Sequence, residues 1–569
     1  MSGERGRTVV GQLVRTIRRS SHAARRSPPP LTAHRSPLTP FPLTPHLDYV
    51  SPTLRTFPFV AALVVLPSAL PAQAPVIDSV ALELHNIFAP AEAEASVLFA
   101  IANALHVRTQ SWVVRRELLF RVGESYDSAT VAETERNLRA LGLFRDATID
   151  TVRQDGRLVV RVRTGDGWTT NLNLTARSTG GTFTWSAGIT ERNVLGTGHA
   201  VGVSYRHEPD RNAVRLNSRL NRIFGTRLLA EGAYEDLTDG TVGTWELEMP
   251  LRSLGERWGF ESEGEAARQR LLQFRGGADI GIGFYRRGLR QRGEFTYAPI
   301  AGTGGYVRVG VGGQVRREEI FPIADTLLAI PDSVTGAVRV FGEWLRPRFK
   351  VVRHYNGFAR DEDLDLSTRI AIGAWLAPRG FGYDRTGVVP EIAVQTGVGF
   401  GRQFVRFAAE AHGLFNGAGL DSGLARGAVT VASLALPRQA VVLHVEGGLM
   451  RDPVPGSEFD LGHGQGPRAF GPHAFPGTRA IWGTLEHRWF AFDEIANLFG
   501  LGFAAFVDYG GAWFEGENPR VGGNVGLGLR IGATRSTGPN VGRVDVAYTF
   551  GDGVGDNRWV LSLGRGLEF

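Results

Sequence analysis

Between Leu461 and Gly511, four charged residues stand where they can do chemistry: Arg468, Glu486, Arg488 and Asp508. Arg468 lies in a run of glycine and proline, Leu461-Gly-His-Gly-Gln-Gly-Pro-Arg-Ala-Phe-Gly471, while Asp508 interrupts an alternating apolar strand at Phe506-Val-Asp-Tyr-Gly510. A guanidinium is always charged and presents a planar fork of donors that matches a carboxylate. If loop and strand both face a narrow, dry interior, each charge needs the other, because removing one partner costs roughly 3–5 kcal/mol. We therefore expect a loop-to-wall ion pair between Arg468 and Asp508, with Pro467, Ala469, Phe470 and Gly471 beside the arginine in the loop. Glu486 and Arg488, which share one face of the preceding strand, are alternative wall partners.

The rest of the sequence offers little to a catalyst. Cysteine is absent, which excludes thiol nucleophiles, disulfides, cysteine-ligated zinc and iron–sulfur clusters. There is no His-Glu-x-x-His, no Gly-x-Ser-x-Gly and no Walker loop around Lys350, the sole lysine. The 13 histidines are scattered, and His463 and His473 share a loop without ligand spacing. Ser457, Asp460 and His463 are near one another in sequence, but proximity in a flexible loop is not triad geometry. The expectation is a non-enzymatic protein with no metal and no cofactor, an integral outer-membrane hydrolase being the least favoured alternative.

What positions the charged residues is a long chain with an unusual composition. Its 569 residues exceed one ordinary core, and 74 glycines with 11 Trp, 33 Phe and 11 Tyr suit many short strands and tight turns. The net charge of +6 is concentrated at the start: nine arginines lie in residues 1–74 against Glu4 and Asp48, leaving 54 basic and 55 acidic residues beyond. A near-neutral remainder removes the electrostatic case for nucleic-acid binding. Residues 50–74 read as a signal peptide, with Arg55, the apolar run Phe57–Leu70 and cleavage after Ala72-Gln-Ala74; residues 1–49 are then a disordered extension or a mis-annotated start.

Residues 75–166 predict a small α+β unit: a strand from Val76, helical stretches at Glu92–Leu105 and Trp112–Phe120, a helix capped at Asp127 or Ser128 and stopped at Gly142, and a hairpin turning at Gln154-Asp-Gly156. From 168 to 569 the period changes to two. Val214-Arg-Leu-Asn-Ser-Arg-Leu-Asn221 alternates apolar and polar, as do Trp245–Met249 and Val441–Glu446. One apolar and one polar face over such a length predicts an all-β antiparallel transmembrane barrel of about 16 strands, at roughly 25 residues per strand and connection. Counting back from Phe569 leaves five strands after a loop at 451–480.

Two segments carry a family resemblance. Val122-Gly-Glu-Ser-Tyr-Asp127 before a helix ending Asn137-Leu-Arg-Ala-Leu-Gly-Leu-Phe144, followed by a hairpin, resembles a single POTRA domain. The loop and strand of 461–511 resemble the BamA/TamA and two-partner-secretion superfamily, whose sixth loop folds into the barrel with a Val-Arg-Gly-Phe/Tyr tip. The resemblance implies that Arg468 pairs with the wall carboxylate Asp508; Pro467 and Ala469 replace the usual valine and glycine. Ser562-Leu-Gly-Arg-Gly-Leu-Glu-Phe569 is similar to the barrel sorting signal, carried by Ser562, Gly564, Leu567 and Phe569. By resemblance the protein sits in the bacterial outer membrane with its POTRA in the periplasm. It binds unfolded client polypeptide at the POTRA edge strand, works with accessory periplasmic or lipoprotein partners, and inserts or translocates client proteins or lipids. A passive pore is the alternative.

Overall fold

The computed structural model describes residues 75–565 apart from 180–181, 273, 276–277, 280, 282, 324–329, 359, 454–456, 463–464, 538–540 and 556. The segments expected as an extension (1–49) and a signal peptide (50–74, with Ala72 and Ala74), together with His463, Leu567 and Phe569, lie outside the described residues.

The N-terminal unit is a three-stranded sheet in the order β1-β3-β2, from β1 (Ser79–His85), β2 (Phe144–Gln154) and β3 (Arg157–Asp166), with β1 parallel to β3. Four helices connect β1 to β2: α1 (Pro90–Ala95), α2 (Val97–Leu105), α3 (Ser111–Glu117) and α4 (Ser128–Ala140). The Asp127 carboxylate accepts from the backbone N–H groups of Ala129 and Thr130, the capping role its position predicts. Ile77, Val114, Leu138, Val160 and Val162 are buried at the centre of this unit. The expected single POTRA module is corrected here. The helical stretch expected over Glu92–Leu105 is two short helices separated at the extended Ser96, and the result is a small sheet with four helices rather than a clear POTRA module.

Twenty antiparallel strands follow and close into a barrel, from β4 (Thr170–Thr179) to β23 (Trp559–Arg565). The expectation of 16 strands is wrong because many connections are far shorter than assumed. Only two residues separate the strands at 238–239, 303–304, 401–402 and 417–418. Alternation sorts the side chains. In β20 (Phe499–Trp513), Phe503, Val507 and Tyr509 face outward and exposed, while Ala504, Phe506 and Asp508 face the lumen and are buried. Elsewhere the inner wall carries Arg–Glu pairs such as Arg339–Glu294 and Arg426–Glu410. Among the described residues no helix is long and apolar enough to cross a membrane.

Both ends of the β4–β23 series open on the rim that carries the N-terminal unit, here the proximal rim. The loop at 451–480 then lies at the opposite, distal rim, as the eighth distal connection rather than the sixth; five strands still follow it.

Candidate functional site in the barrel lumen

Three consecutive strands build one wall of the site: β19 (Arg479–Ile495), β20 and β21 (Gly522–Ala533). Their register places Thr484 opposite Asp508 and Asp508 opposite Asn524, so residues of the same parity converge in the lumen. The distal loop reaches this wall from above. A short pairing of Phe459–Leu461 with Phe475–Gly477 closes its base, and Leu461, Phe470 and Phe475 pack with Ala480 and Ala512 into an apolar seat. The Phe470 and Phe475 rings meet edge to face at 5.0 Å. Gly522 makes room for Phe470, since a Cβ there would lie 2.6 Å from the ring.

Held by that seat, Arg468 reaches two carboxylates. Its Nε and Nη2 donate to Asp508 at 2.8 and 3.0 Å, and its Nη1 donates to Glu486 at 2.8 Å. Its backbone N–H also donates to Asp508, at 3.2 Å, and the guanidinium stacks 3.8 Å over the Phe506 ring. Arg468 is 1% exposed, and Asp508 and Glu486 are 0% exposed, so this is a dry cluster and not a solvated loop contact. Asn524 completes it by donating to Asp508 at 2.8 Å and accepting the Ala469 N–H at 3.3 Å. Pro467 and Ala469 are buried with the arginine, and Ala469 is not among the residues of positive φ. The positive-φ positions in the described part of the loop are Asp452, Gly462, Gly466 and His473. Gly471 follows Phe470 at the end of the tip and is half-buried.

Glu486 and Arg488 act together with the pair instead of replacing it. Glu486 also accepts from Arg488 at 2.9 Å and lies 3.6 Å from Arg530. Arg530 in turn donates to Asp545 at 2.5 Å. Asn524, Arg530 and Asp545 were not singled out from the sequence. The available signal was their parity: each is a polar residue at a lumen-facing position in a strand whose other face is apolar.

At the proximal end a second chain segment enters the lumen. The connection between strands Ile330–Arg346 and Thr368–Ala377 forms a hairpin, Phe349–Val352 against Glu362–Asp365. Val352, Tyr355, Phe358, Leu364 and Leu366 pack against wall residues Phe404, Val442, Phe490 and Val541 in a buried apolar cluster. The wall is carved to receive it. A Cβ at Gly500 or Gly532 would lie 2.2 or 2.3 Å from the Phe358 ring, and one at Gly397 would lie 2.6 Å from Leu366. The Glu362 carboxylate closes the hairpin by accepting from the N–H groups of Tyr355, Asn356 and Gly357. Arg488 joins the two inserted segments, because its Nη1 donates to the Tyr355 carbonyl at 2.9 Å.

On the distal surface His473 is bonded to Asp460 and Asp210, at 2.5 and 2.6 Å, and its ring stacks on Phe274. Burial lowers the imidazole pKa, but the two carboxylates more than offset it and raise the group to about 9. Among the described residues no cluster of metal-ligating side chains occurs. At the C-terminus, Ser562 is buried and Gly564 lies in β23.

No family model matches the chain. It is 28% identical over 127 residues to the outer membrane protein assembly factor BamA of Neorickettsia risticii (strain Illinois), a match covering 22% of the chain and 17% of that relative's length. Among solved structures it aligns with CdiB from Escherichia coli at 10% identity, over 89% of this chain and 94% of that one, with a TM-score of 0.44. It also aligns with BamA from Haemophilus ducreyi lacking POTRA domains 1-3 at 12% identity, over 86% and 85%, with a TM-score of 0.36. The chain is thus similar to the BamA-like superfamily that its loop and strand motifs resemble.

Proposed function

We propose that the chain is an outer-membrane barrel that inserts or translocates client polypeptide without enzymatic chemistry, its proximal rim and N-terminal unit facing the periplasm. The observation that carries this is the seam between first and last strands. Among the described residues β23 pairs with β4 over three residues a side, Leu561–Leu563 against Ala176–Ser178, where β23 pairs with β22 (Val541–Gly551) over seven. With few described pairs, this ladder has fewer backbone hydrogen bonds to exchange for those of a client strand than its neighbour has. Outside the ladder, Arg565 supplements it by donating to the Leu172 carbonyl and the Asn171 side chain. A client strand can then pair with the freed edge of β4. The N-terminal sheet offers two further edges, β1 and β2, to extended clients.

The absence of cysteine makes the test clean. Ser178 and Leu561 are register partners, so Ser178→Cys with Leu561→Cys places two thiols within disulfide range. The oxidised protein should lose insertion of client into liposomes and recover it on reduction. Full activity in the locked form would overturn the proposal. A passive pore is the second reading, favoured by the Arg–Glu pairs lining the lumen. Steady conductance in planar bilayers, with no client insertion, selects it.

A further inference from the structure

Among the described residues none covers one apolar face of the short helix α2. Val97, Leu98, Ile101 and Leu105 lie on one side of it, with Leu98 73% and Leu105 72% exposed. Its opposite side is occupied: Phe99 stacks on Phe88 at 4.1 Å, and Asn103 exchanges hydrogen bonds with the Phe88 backbone. The exposed side is therefore not a frayed core.

The helix is tied to the barrel at both ends. Before it, Glu92 pairs with Arg535 at 2.7 Å and accepts from Asn497 at 3.3 Å, on the proximal turns after β21 and β19. Arg535 also lies over the Phe88 ring. Beyond it, the Gln110 N–H donates to the Gly196 carbonyl and its side chain to the Leu195 carbonyl, both 2.9 Å, on the proximal turn after β5 (Thr182–Val194). In barrel order the seam lies between these two attachments. The helix consequently straddles the seam at the proximal rim.

The neighbouring surface is the one the barrel turns to lipid. Ile495 and Phe499 flank Asn497 and are exposed on the outer wall, and Leu195 is 70% exposed. Just past the helix, Val107 is exposed and followed by the exposed Arg108, a basic residue placed to reach headgroups. We propose that α2 is an interfacial helix whose Val97–Leu105 face lies in the proximal leaflet of the membrane, directly beneath the seam. It continues the apolar belt of the barrel across the junction between β23 and β4. This requires only that the barrel resides in a bilayer, not that clients are inserted.

The test uses the full cysteine-free chain. Leu98→Cys and Ile101→Cys are labelled with an environment-sensitive nitrobenzoxadiazole dye and reconstituted into phosphatidylethanolamine–phosphatidylglycerol vesicles; Gln154→Cys, exposed on the β2–β3 turn, is the control. Both changes are on an exposed face, and heat-modifiability on gels confirms that the barrel is folded. Spin-labelled lipid should quench the dye at 98 and 101 about threefold more than at 154, with blue-shifted emission. Equal lipid quenching at all three sites with strong quenching by aqueous iodide overturns the proposal. So does a blue shift insensitive to spin-labelled lipid, which would mean that protein covers the face. Neither result depends on client insertion, so the seam proposal stands or falls separately.

Discussion

Arg468 is not half of a simple pair. It bridges Asp508 and Glu486, and Asp508 receives three further polar contacts from the Arg468 N–H, its second guanidinium nitrogen and Asn524. Removing the arginine side chain strands Asp508 most severely, because Glu486 keeps Arg488 while Asp508 keeps two neutral donors, the backbone N–H of residue 468 and the Asn524 amide. Arg468→Ala should therefore destabilise the docked loop by roughly 3–5 kcal/mol, seen as a lower heat-modification temperature and protease cleavage within 461–477. Arg468→Lys should recover little, since a lysine cannot span two carboxylates with a planar fork. An Arg468→Ala barrel with unchanged temperature and a protected loop would sink this account. From the sequence, the loop arginine and a wall carboxylate were legible because a charge stands out against glycine or alternating apolar residues. Asn524 carries only the lumen-facing parity of its strand, which does not single it out as the residue the loop reaches.

At the scale of elements, the inserted hairpin at 349–365 changes what the lumen is. It places aromatic and aliphatic side chains in a space otherwise lined by charged pairs, and carved or contacting wall residues on strands from Gly397 to Val541 receive it. Its sequence, with Lys350, Arg353, His354 and a run of acidic residues at 361–363, shows neither the period of a strand nor an apolar stripe. Its apolar partners Phe404, Phe490 and Val541 lie scattered along the chain, so only the closed barrel brings them together. The hint left in the sequence was Gly500, Gly502 and Gly532 at lumen-facing positions, where side chains are expected. Replacing 350–364 by a short Gly/Ser linker should open a conducting path, read as a several-fold rise in single-channel conductance. Phe358→Ala should give intermediate, flickering openings, because it removes the ring that those glycines accommodate. Conductance equal to the unaltered protein in the deletion would show that the hairpin does not close the lumen.

The whole molecule is a closed wall of twenty strands with two segments folded into it from opposite rims, and the N-terminal unit bears on one of them. Periodicity made the barrel readable, since an apolar face and a polar face alternating over some four hundred residues fit a closed sheet with lipid outside and charge within. Strand number was not readable, because alternation continues through two-residue turns. The polar contacts form a continuous series: Arg139 to Asp363 at 2.6 Å, the hairpin from Asp363 to Tyr355, Tyr355 to Arg488, Arg488 to Glu486, and Glu486 to Arg468. A second tie runs from Arg360 to the Arg145 carbonyl, and Arg136 stacks on Phe349. A displacement of the N-terminal unit therefore pulls first on the hairpin and through it on the anchor of the distal loop. Distant sites normally add within about 0.5 kcal/mol, whereas members of one network couple by roughly 0.5–3 kcal/mol. We expect Asp363→Ala and Arg468→Ala, combined, to deviate from additivity in heat-modification stability by more than that limit. The same cycle with Arg426→Ala, whose Glu410 partner lies outside the series, should be additive. Additivity in both cycles would mean that the two inserted segments are held independently.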